Sequence, residues 1–248
     1  MMMSQSSGRR GVAWAIVGGL VLLAGIVAII VSAVLARPTP TPSATSRGTA
    51  SADPTTSAEP DPDADGAVVD PTAADRGWTP EPITTDSDAY IRAALAAAST
   101  FDTTKSTRED WLDYLDTWFT PDTRFTSKAD QLAAMSDSQT ELRQGVVLPQ
   151  DDWDSLAGED GRVVAVVTSE ITDVPVTDDP SGDMSIGTAD VTLSFTRSDG
   201  SGAETSYDDH VRVSVPVLCG AASVPTPDTD QRSGDCKVVR YFTEPLEP

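Results

Sequence analysis

The hydrophobic pattern of this chain changes near residue 160 from a helical period to alternation. Before that point, the apolar residues of "DAYIRAALAAASTF" recur at the spacing of one helix face, which predicts a helix over residues 88–101. After it, apolar residues alternate with polar ones in residues 191–196 and 211–217, as in strands with one face in water. Helices followed by an antiparallel meander predict an α+β fold in which the helices cover one face of a sheet.

The segment "TREDWLDYLDTWFT" concentrates aromatic residues in a chain that is only 6% aromatic. Thr107 and Asp110 form an approximate capping box at the start of a second helix, and Pro121 ends that helix. Its apolar side chains fall within an arc of about 120°, opposite the acidic ones. They are Trp111, Leu112, Leu115, Trp118 and Phe119. We therefore predict a buried helix that fills the concave side of the sheet, in preference to a ligand-binding aromatic cluster. A weaker third helix is predicted over residues 128–135.

The strand segments predict a four-stranded antiparallel sheet. They are residues 162–172, 191–196, 211–217 and 237–242. Cys219 and Cys236 flank a polar loop between the third and fourth strands, so a disulfide would clamp the base of a long hairpin. Closing a loop of this size stabilises a fold by roughly 3 kcal/mol. A metal site is the alternative, but two Cys and one distant His supply too few ligands.

Residues 11–36 carry no charged side chain and exceed the roughly 20 apolar residues that cross a membrane as a helix. Arg9 and Arg10 precede this segment. The positive-inside bias therefore predicts a cytoplasmic tail over residues 1–10, a transmembrane helix, and an extracellular C-terminal part of a single-pass membrane protein. A cleaved signal peptide is the alternative, although the apolar run is longer than a usual signal sequence.

Small residues recur at every fourth position within the apolar run. They are Ala24, Ala28, Ser32 and Ala36. Such a face lets two membrane helices approach closely, so a homodimer is an alternative to a monomer.

Residues 37–85 are rich in Pro, Thr, Ser, Ala and Asp and lack apolar clusters, which predicts a disordered linker. Residues 86–248 form the predicted extracytoplasmic domain and carry 12 basic and 31 acidic side chains, a formal charge of −19. This charge disfavours nucleic acid as a partner, because the phosphates would be repelled. The linker sequence "DPDADG" matches the first half of a calcium loop, but Thr72 stands where a bidentate Glu is required, so no metal site is predicted.

Motifs for catalysis are largely absent from the sequence. There is no phosphate-binding loop, dinucleotide fingerprint, zinc-protease helix or nucleophile elbow, and no cofactor is predicted. Asp208 and His210 would share a strand face and could form a general base, but a solvated turn that leads into a strand is the favoured interpretation. The acidic residues around Trp153, which are Asp151, Asp152 and Asp154, are interpreted as part of a loop anchored by that Trp.

The order of a short tail, one membrane helix, a linker, two helices and a sheet resembles actinobacterial membrane-anchored proteins with a cystatin-like or nuclear-transport-factor-like cone domain. It is also similar to the bridging component of type IV secretion systems and its Gram-positive conjugation relatives. The resemblance lies in architecture and in the helix pair "DAYIRAALAAASTF" and "REDWLDYLDTWFTP". It implies a curved sheet wrapped around a helix and a scaffold or assembly role. Enzymatic cone domains carry Asp and His inside the cavity, where only Asp208 and His210 would match.

The sequence therefore favours a non-catalytic, membrane-anchored interaction module whose partners are envelope proteins. The alternative is a cone domain that binds a small ligand or acts as an enzyme.

Overall fold

The computed structural model describes residues 66–246, which contain four α-helices followed by most of an antiparallel sheet. The helices are α1 (Ser87–Ala97), α2 (Arg108–Asp116), α3 (Lys128–Glu141) and α4 (Gln150–Ala157). The strands are β1 (Phe101–Asp102), β2 (Arg162–Val167), β3 (Thr172–Pro175), β4 (Met184–Ser198), β5 (Glu204–Leu218) and β6 (Lys237–Val238). Two short helical segments are also present: a 3-10 turn at Ala74–Arg76 and one turn of π-helix at Leu142–Val146, which we call the π-turn. The predicted α+β class is confirmed.

Several predicted segments lie outside the described residues. They are the cytoplasmic tail, the membrane helix with its small-residue face, and residues 37–65 of the linker. Between residues 66 and 246, no helix has both the length and the apolar character needed to cross a bilayer.

The sheet is antiparallel throughout and has the order β1-β2-β4-β5-β6, with β3 paired to the same edge of β4 as β2. It curls into a half-barrel around the long β4–β5 hairpin, in which Met184 pairs with Leu218 and Ser198 with Glu204. The prediction of four strands is wrong, because residues 66–246 form six. The predicted strand over residues 162–172 divides into β2 and β3 where the Ser169 hydroxyl accepts a hydrogen bond from the Asp190 amide. That side chain takes the place of a backbone partner.

Helix α1 makes the main helix contacts with the sheet, on β2, β4 and β5. Asp86 caps it by accepting hydrogen bonds from two backbone amides, as expected for an acidic N-cap. Its buried face includes Tyr90, Ile91, Ala94 and Leu95. Gly187 of β4 permits this close approach, because a Cβ there would lie 2.6 Å from Ile91 Cδ1.

The aromatic side chains that the sequence predicts to be buried are buried, since Trp111, Leu115 and Trp118 are all 0% exposed. The predicted helix end at Phe119 is too late, because α2 ends at Asp116 and Trp118 lies in the turn that follows it. The Thr107 side chain caps the helix at the Asp110 amide. However, α2 packs mainly through ring contacts with residues of the other helices and of β1. The expectation that α2 fills the concave side of the sheet is therefore wrong, because α1 already occupies that position.

Residues 66–85 belong to the folded domain, so the predicted linker extends too far. Ala73, Trp78 and Glu81 are buried in this segment, and the Trp78 ring stacks on Tyr114 at 4.9 Å. Two backbone hydrogen bonds of 2.9 Å, one of them from Ile83 N to Ala67 O, close the segment into a hairpin-like loop. A few apolar residues are enough to hold this segment on the domain, because they pack against residues that are distant in sequence.

Three further helix predictions need correction. Helix α1 ends at Ala97 instead of Phe101, which belongs to β1. Helix α3 continues to Glu141 instead of ending at Met135. The predicted loop around Trp153 is helix α4, with Asp151 and Asp152 exposed in its first turn and Trp153 buried. Acidic residues stabilise the N-terminal end of a helix dipole, which explains why a turn-like composition forms a helix here.

Candidate functional site

Cys219 and Cys236 form the predicted disulfide, and they enclose a loop that packs beside α2 and α3. The bond spans 17 positions in sequence. It holds together the end of β5 and the start of β6, so the loop leaves the sheet at a fixed place.

His210 and Asp208 lie on the solvent-exposed face of β5, away from the cavities considered below. His210 Nδ1 is 3.0 Å from Thr192 Oγ1, and Asp208 accepts a hydrogen bond of 2.7 Å from Ser194 Oγ. These contacts are cross-strand pairs of an exposed sheet face. The structure therefore does not bring Asp208 and His210 into a cavity, which the catalytic alternative requires.

A groove of about 530 Å³ lies between α2, α3 and the disulfide loop, and we call it the helix–loop groove. Its lining comes from three segments. They are the end of α2 and the residues after it (Asp116, Thr117, Phe119 and Pro121), then Lys128, Gln131, Leu132 and Met135 on α3, and residues 224–227 of the disulfide loop.

The loop wall of this groove is held by hydrogen bonds from its own backbone. The Val224 amide donates to Thr120 Oγ1 and the Thr226 amide to Gln231 Oε1, both at 2.9 Å. Pro225 and Pro227 further restrict the backbone, because the proline ring fixes φ. The wall is thus formed before any partner binds.

A buried ion pair joins the loop wall to the segment after α2. Lys237 Nζ lies 2.8 Å from Glu81 Oε1, and the two side chains are 1% and 0% exposed. The same ammonium donates to Thr117 O at 2.6 Å and to Thr226 Oγ1 at 2.8 Å. The Thr226 hydroxyl in turn donates to Thr117 O at 3.0 Å. Lys237 therefore joins the segment after α2 to the disulfide loop where Thr117 and Thr226 meet.

One oxygen of the Glu81 carboxylate accepts all of its hydrogen bonds. Oε1 accepts hydrogen bonds from Lys237, Tyr90 and Gln231, whereas Oε2 is buried with no hydrogen-bond partner among the described residues. Burial raises the pKa of Glu81, and the charge of Lys237 opposes that rise. Burial also lowers the pKa of Lys237, which the charge of Glu81 opposes. Neither side chain is accessible from the groove, so the pair supports the walls and does not face a substrate.

The floor and rim of the groove present apolar side chains to solvent. Leu132 is 47% exposed and Val224 is 52% exposed, and nearby Phe125 is 41% exposed. Helix α3 is 14 residues long but contains no fully buried residue. Exposed apolar surface of this kind is typical of interaction sites. The groove therefore suits a partner's apolar side chains better than a reaction that needs several titratable groups.

Arginine side chains beside the groove are already paired. Arg143 binds Asp116 and lies 3.7 Å from Asp113, and Arg240 Nε is 2.6 Å from Glu141 Oε2. Asp228 and Asp230 follow directly after the loop wall. Both of these Asp side chains are exposed, and Lys128 is the one basic residue among those lining the groove.

Two adjoining pockets of about 450 and 260 Å³ lie between the concave sheet face and the π-turn. They share Ser99, Gly145, Val146 and Leu193, and their lining is mostly Val, Leu and Phe. No Asp, Glu or His lines either pocket. Across residues 66–246, no group of three or more His, Cys, Asp or Glu side chains is placed to hold a metal ion.

The sequence did not identify the residues that build the groove. Glu81 fell within the predicted linker, and Lys237 was assigned only to a strand. One signal was present, because Lys237 follows Cys236 directly and begins the apolar segment "KVVRYF", where an unpaired charge would be costly. A second was Trp78 near Glu81 in a segment otherwise poor in apolar residues.

Comparisons with known proteins find likenesses among solved structures. No protein-family model matches the chain, and no curated protein matches it. The chain is similar to an IcmL-like type IV secretion system protein from Legionella pneumophila, with 12% identity, a TM-score of 0.38, and coverage of 65% of this chain and 91% of that one. It is also similar to CagV, a VirB8 homologue of the type IV secretion system of Helicobacter pylori, with 18% identity, a TM-score of 0.29, and coverage of 56% and 82%. Both of these solved structures are type IV secretion system proteins.

Proposed function

We propose that this chain is a membrane-anchored, extracytoplasmic and non-catalytic module that binds a protein partner of the cell envelope through the helix–loop groove. The assembly it serves is a secretion or conjugation apparatus. The observation that carries this proposal is an exposed apolar groove whose loop wall is fixed in advance by a disulfide and by a buried ion pair that joins it to the segment after α2. Preformed walls favour binding, because the protein loses little conformational freedom when the partner docks.

The placement of the domain outside the membrane rests on the sequence alone. Residues 11–36 are apolar and uncharged, Arg9 and Arg10 precede them, and the remainder of the chain is acidic. An oxidising compartment also suits the disulfide between Cys219 and Cys236.

The test is site-specific photo-crosslinking in cells that express the full chain. A photoreactive phenylalanine analogue replaces Leu132 in the groove or, as a matched control, Val164 on the solvent face of β2. Both positions are 47% exposed. We expect an adduct with one envelope protein from position 132, mapped by mass spectrometry, and no such adduct from position 164. Equal adducts at both positions, or none at 132, would contradict docking in the groove.

The role in a secretion or conjugation assembly requires a second measurement. A chromosomal Leu132→Gln substitution should reduce protein secretion or DNA transfer nearly as much as deletion of the gene, whereas Val164→Gln should not. If deletion leaves secretion, DNA transfer and the envelope unchanged, the assembly role is wrong even where the cross-link is real.

A small apolar ligand is the second candidate function, favoured by the two pockets beside the π-turn. π-Turns are frequent at functional sites, and the combined volume is in the range of small-molecule sites. Native mass spectrometry of the full chain should then detect a co-purified ligand, and Val213→Trp should remove it by filling the pocket.

A further inference from the structure

We propose that the partner binds the helix–loop groove as an amphipathic α-helix, with an apolar stripe in the groove and Lys or Arg beside that stripe. This inference rests on the proposed docking function and specifies the chemistry of the partner. It follows from the shape of the α3 wall, the hydrogen bonding of the loop wall and the charge of the domain.

The α3 wall presents one face of the helix, on which Gln131 lies beside a row of three other side chains. Lys128, Leu132 and Met135 follow the i, i+4, i+7 spacing of one helix face and all line the groove. The row extends over about two helical turns, or roughly 10 Å. Rows of this kind form ridges into which the side chains of a second helix pack.

The loop wall offers no backbone donor to an added strand. Of its four residues, Pro225 and Pro227 have no amide hydrogen, and the amides of Val224 and Thr226 already donate to Thr120 and Gln231. The α3 backbone is bonded within its own helix. An extended peptide would therefore leave its carbonyl groups without partners on this wall, whereas a helix satisfies its own backbone. A polyproline segment also fits poorly, because Phe119 is the sole aromatic residue among those lining the groove.

The negative charge of the domain favours a partner with a positive charge. Residues 66–248 contain 34 acidic and 13 basic side chains, a formal charge of −21. A second copy of this chain would bring the same negative charge to the groove and would be repelled. A helix with Lys or Arg beside its apolar stripe is instead attracted by this negative charge. Asp228 and Asp230 are exposed directly after the loop wall, whereas Lys128 lies in the α3 wall, so the basic residues are expected on the loop side of the stripe.

The test titrates the purified full chain, in a neutral detergent, with fluorescein-labelled synthetic peptides. The first peptide is an amphipathic helix of Leu and Lys, with Leu at the i, i+3, i+4 and i+7 positions. The second has the same composition with a central Pro pair that breaks the helix, and the third replaces every Lys with Glu. Detergent alone gives the background from peptide that enters micelles.

We expect the Leu/Lys helix to bind, and the Pro-broken and Glu-containing peptides to bind at least about tenfold more weakly. Leu132→Gln should weaken binding of the Leu/Lys helix by about tenfold or more, as for a central interface residue, whereas Val164→Gln should leave it unchanged. The binding should also weaken as salt is raised, because the charge attraction is screened.

Each contrary result overturns a defined part of the inference. No binding of the Leu/Lys helix, or equal binding of the Pro-broken peptide, overturns a helical partner. Equal binding of the Glu-containing peptide overturns the charge preference, and an unaffected Leu132→Gln variant overturns the groove as the site. A cross-link from position 132 to a second copy of the chain overturns the heterologous partner in favour of a dimer. The envelope-protein cross-link at Leu132 tests the proposed function separately, since it forms whatever the partner's secondary structure.

Discussion

Removal of the Lys237 charge is the most direct test of how the groove is built. Lys237→Met deletes the ammonium that binds Glu81 Oε1, Thr117 O and Thr226 Oγ1 at 2.8, 2.6 and 2.8 Å. The dominant loss is the pairing of Glu81, because that carboxylate is 0% exposed and would remain buried without a counter-charge. Breaking a buried ion pair in this way costs about 3–5 kcal/mol.

That cost is large compared with the total stability of a small domain, which is about 5–15 kcal/mol. With a urea m-value of about 1–3 kcal/mol/M, the unfolding midpoint should fall by roughly 2 M. The measurement is urea unfolding followed by Trp fluorescence, since Trp78, Trp111, Trp118 and Trp153 are all buried in the native state.

The double variant Lys237→Met with Glu81→Gln distinguishes the lost charge pairing from lost packing. Removing both charges leaves no unpaired ion, so the double variant should be at least about 2 kcal/mol more stable than Lys237→Met alone. Arg162→Met is the matched exposed control. Arg162 Nη1 lies 2.7 Å from Glu204 Oε1, close to the 2.8 Å of the buried pair, but both side chains are substantially solvated. It should cause a much smaller loss.

The stability of the Lys237→Met variant should also depend on pH in a predictable direction. Burial raises the pKa of Glu81, and Lys237 opposes that rise, so removal of Lys237 raises the pKa of Glu81 further. A group whose pKa is higher in the folded state takes up a proton on folding, so stability increases as pH falls through the window below that pKa. The variant should therefore be less destabilised at pH 5 than at pH 8. A loss below about 1 kcal/mol at pH 8, or a double variant as unstable as the single one, would refute the buried-pair reasoning.

Three further outcomes are expected. Trp118→Ala should destabilise the domain by about 3–5 kcal/mol, because Trp118 is 0% exposed; normal thermal melting of this variant together with lost partner binding would instead indicate a recognition role. Replacing Cys219 and Cys236 with Ser should cost roughly 3 kcal/mol in urea unfolding and should lower the cross-link yield at position 132, and an unchanged yield would show that the disulfide does not hold the wall. Asp179→Asn should lower stability at neutral pH. Burial raises the pKa of Asp179, but hydrogen bonds from Ser181, Thr123 and the Met184 amide outweigh it and hold that pKa well below its usual range. This stabilisation is present above about pH 4 and is lost as pH falls further, so thermal melts of the wild type and the Asn variant should converge in acid, and parallel melts would contradict it.

Long-range packing explains where the sequence predictions succeeded and failed. The capping of α2 by Thr107 and the burial of Trp118 depend on residues within a few positions of each other, so a local pattern predicts both. Pairing of Cys219 with Cys236 followed from cysteine count and the strands on either side. By contrast, the buried contact between Glu81 and Lys237 joins residues 156 positions apart, and no local period encodes it.

By itself, the sequence determined the α+β class, the aromatic face of α2 and the disulfide. Each of these follows from hydrophobic periodicity, capping residues or residue chemistry along a short stretch of chain. The tertiary structure decided that residues 66–85 belong to the domain and that α1 is the helix that packs on the sheet. It also decided that α3 and the disulfide loop enclose a groove. These features depend on which distant segments meet, because the burial of a charge or an apolar side chain is settled by the partners that surround it and not by its neighbours in sequence.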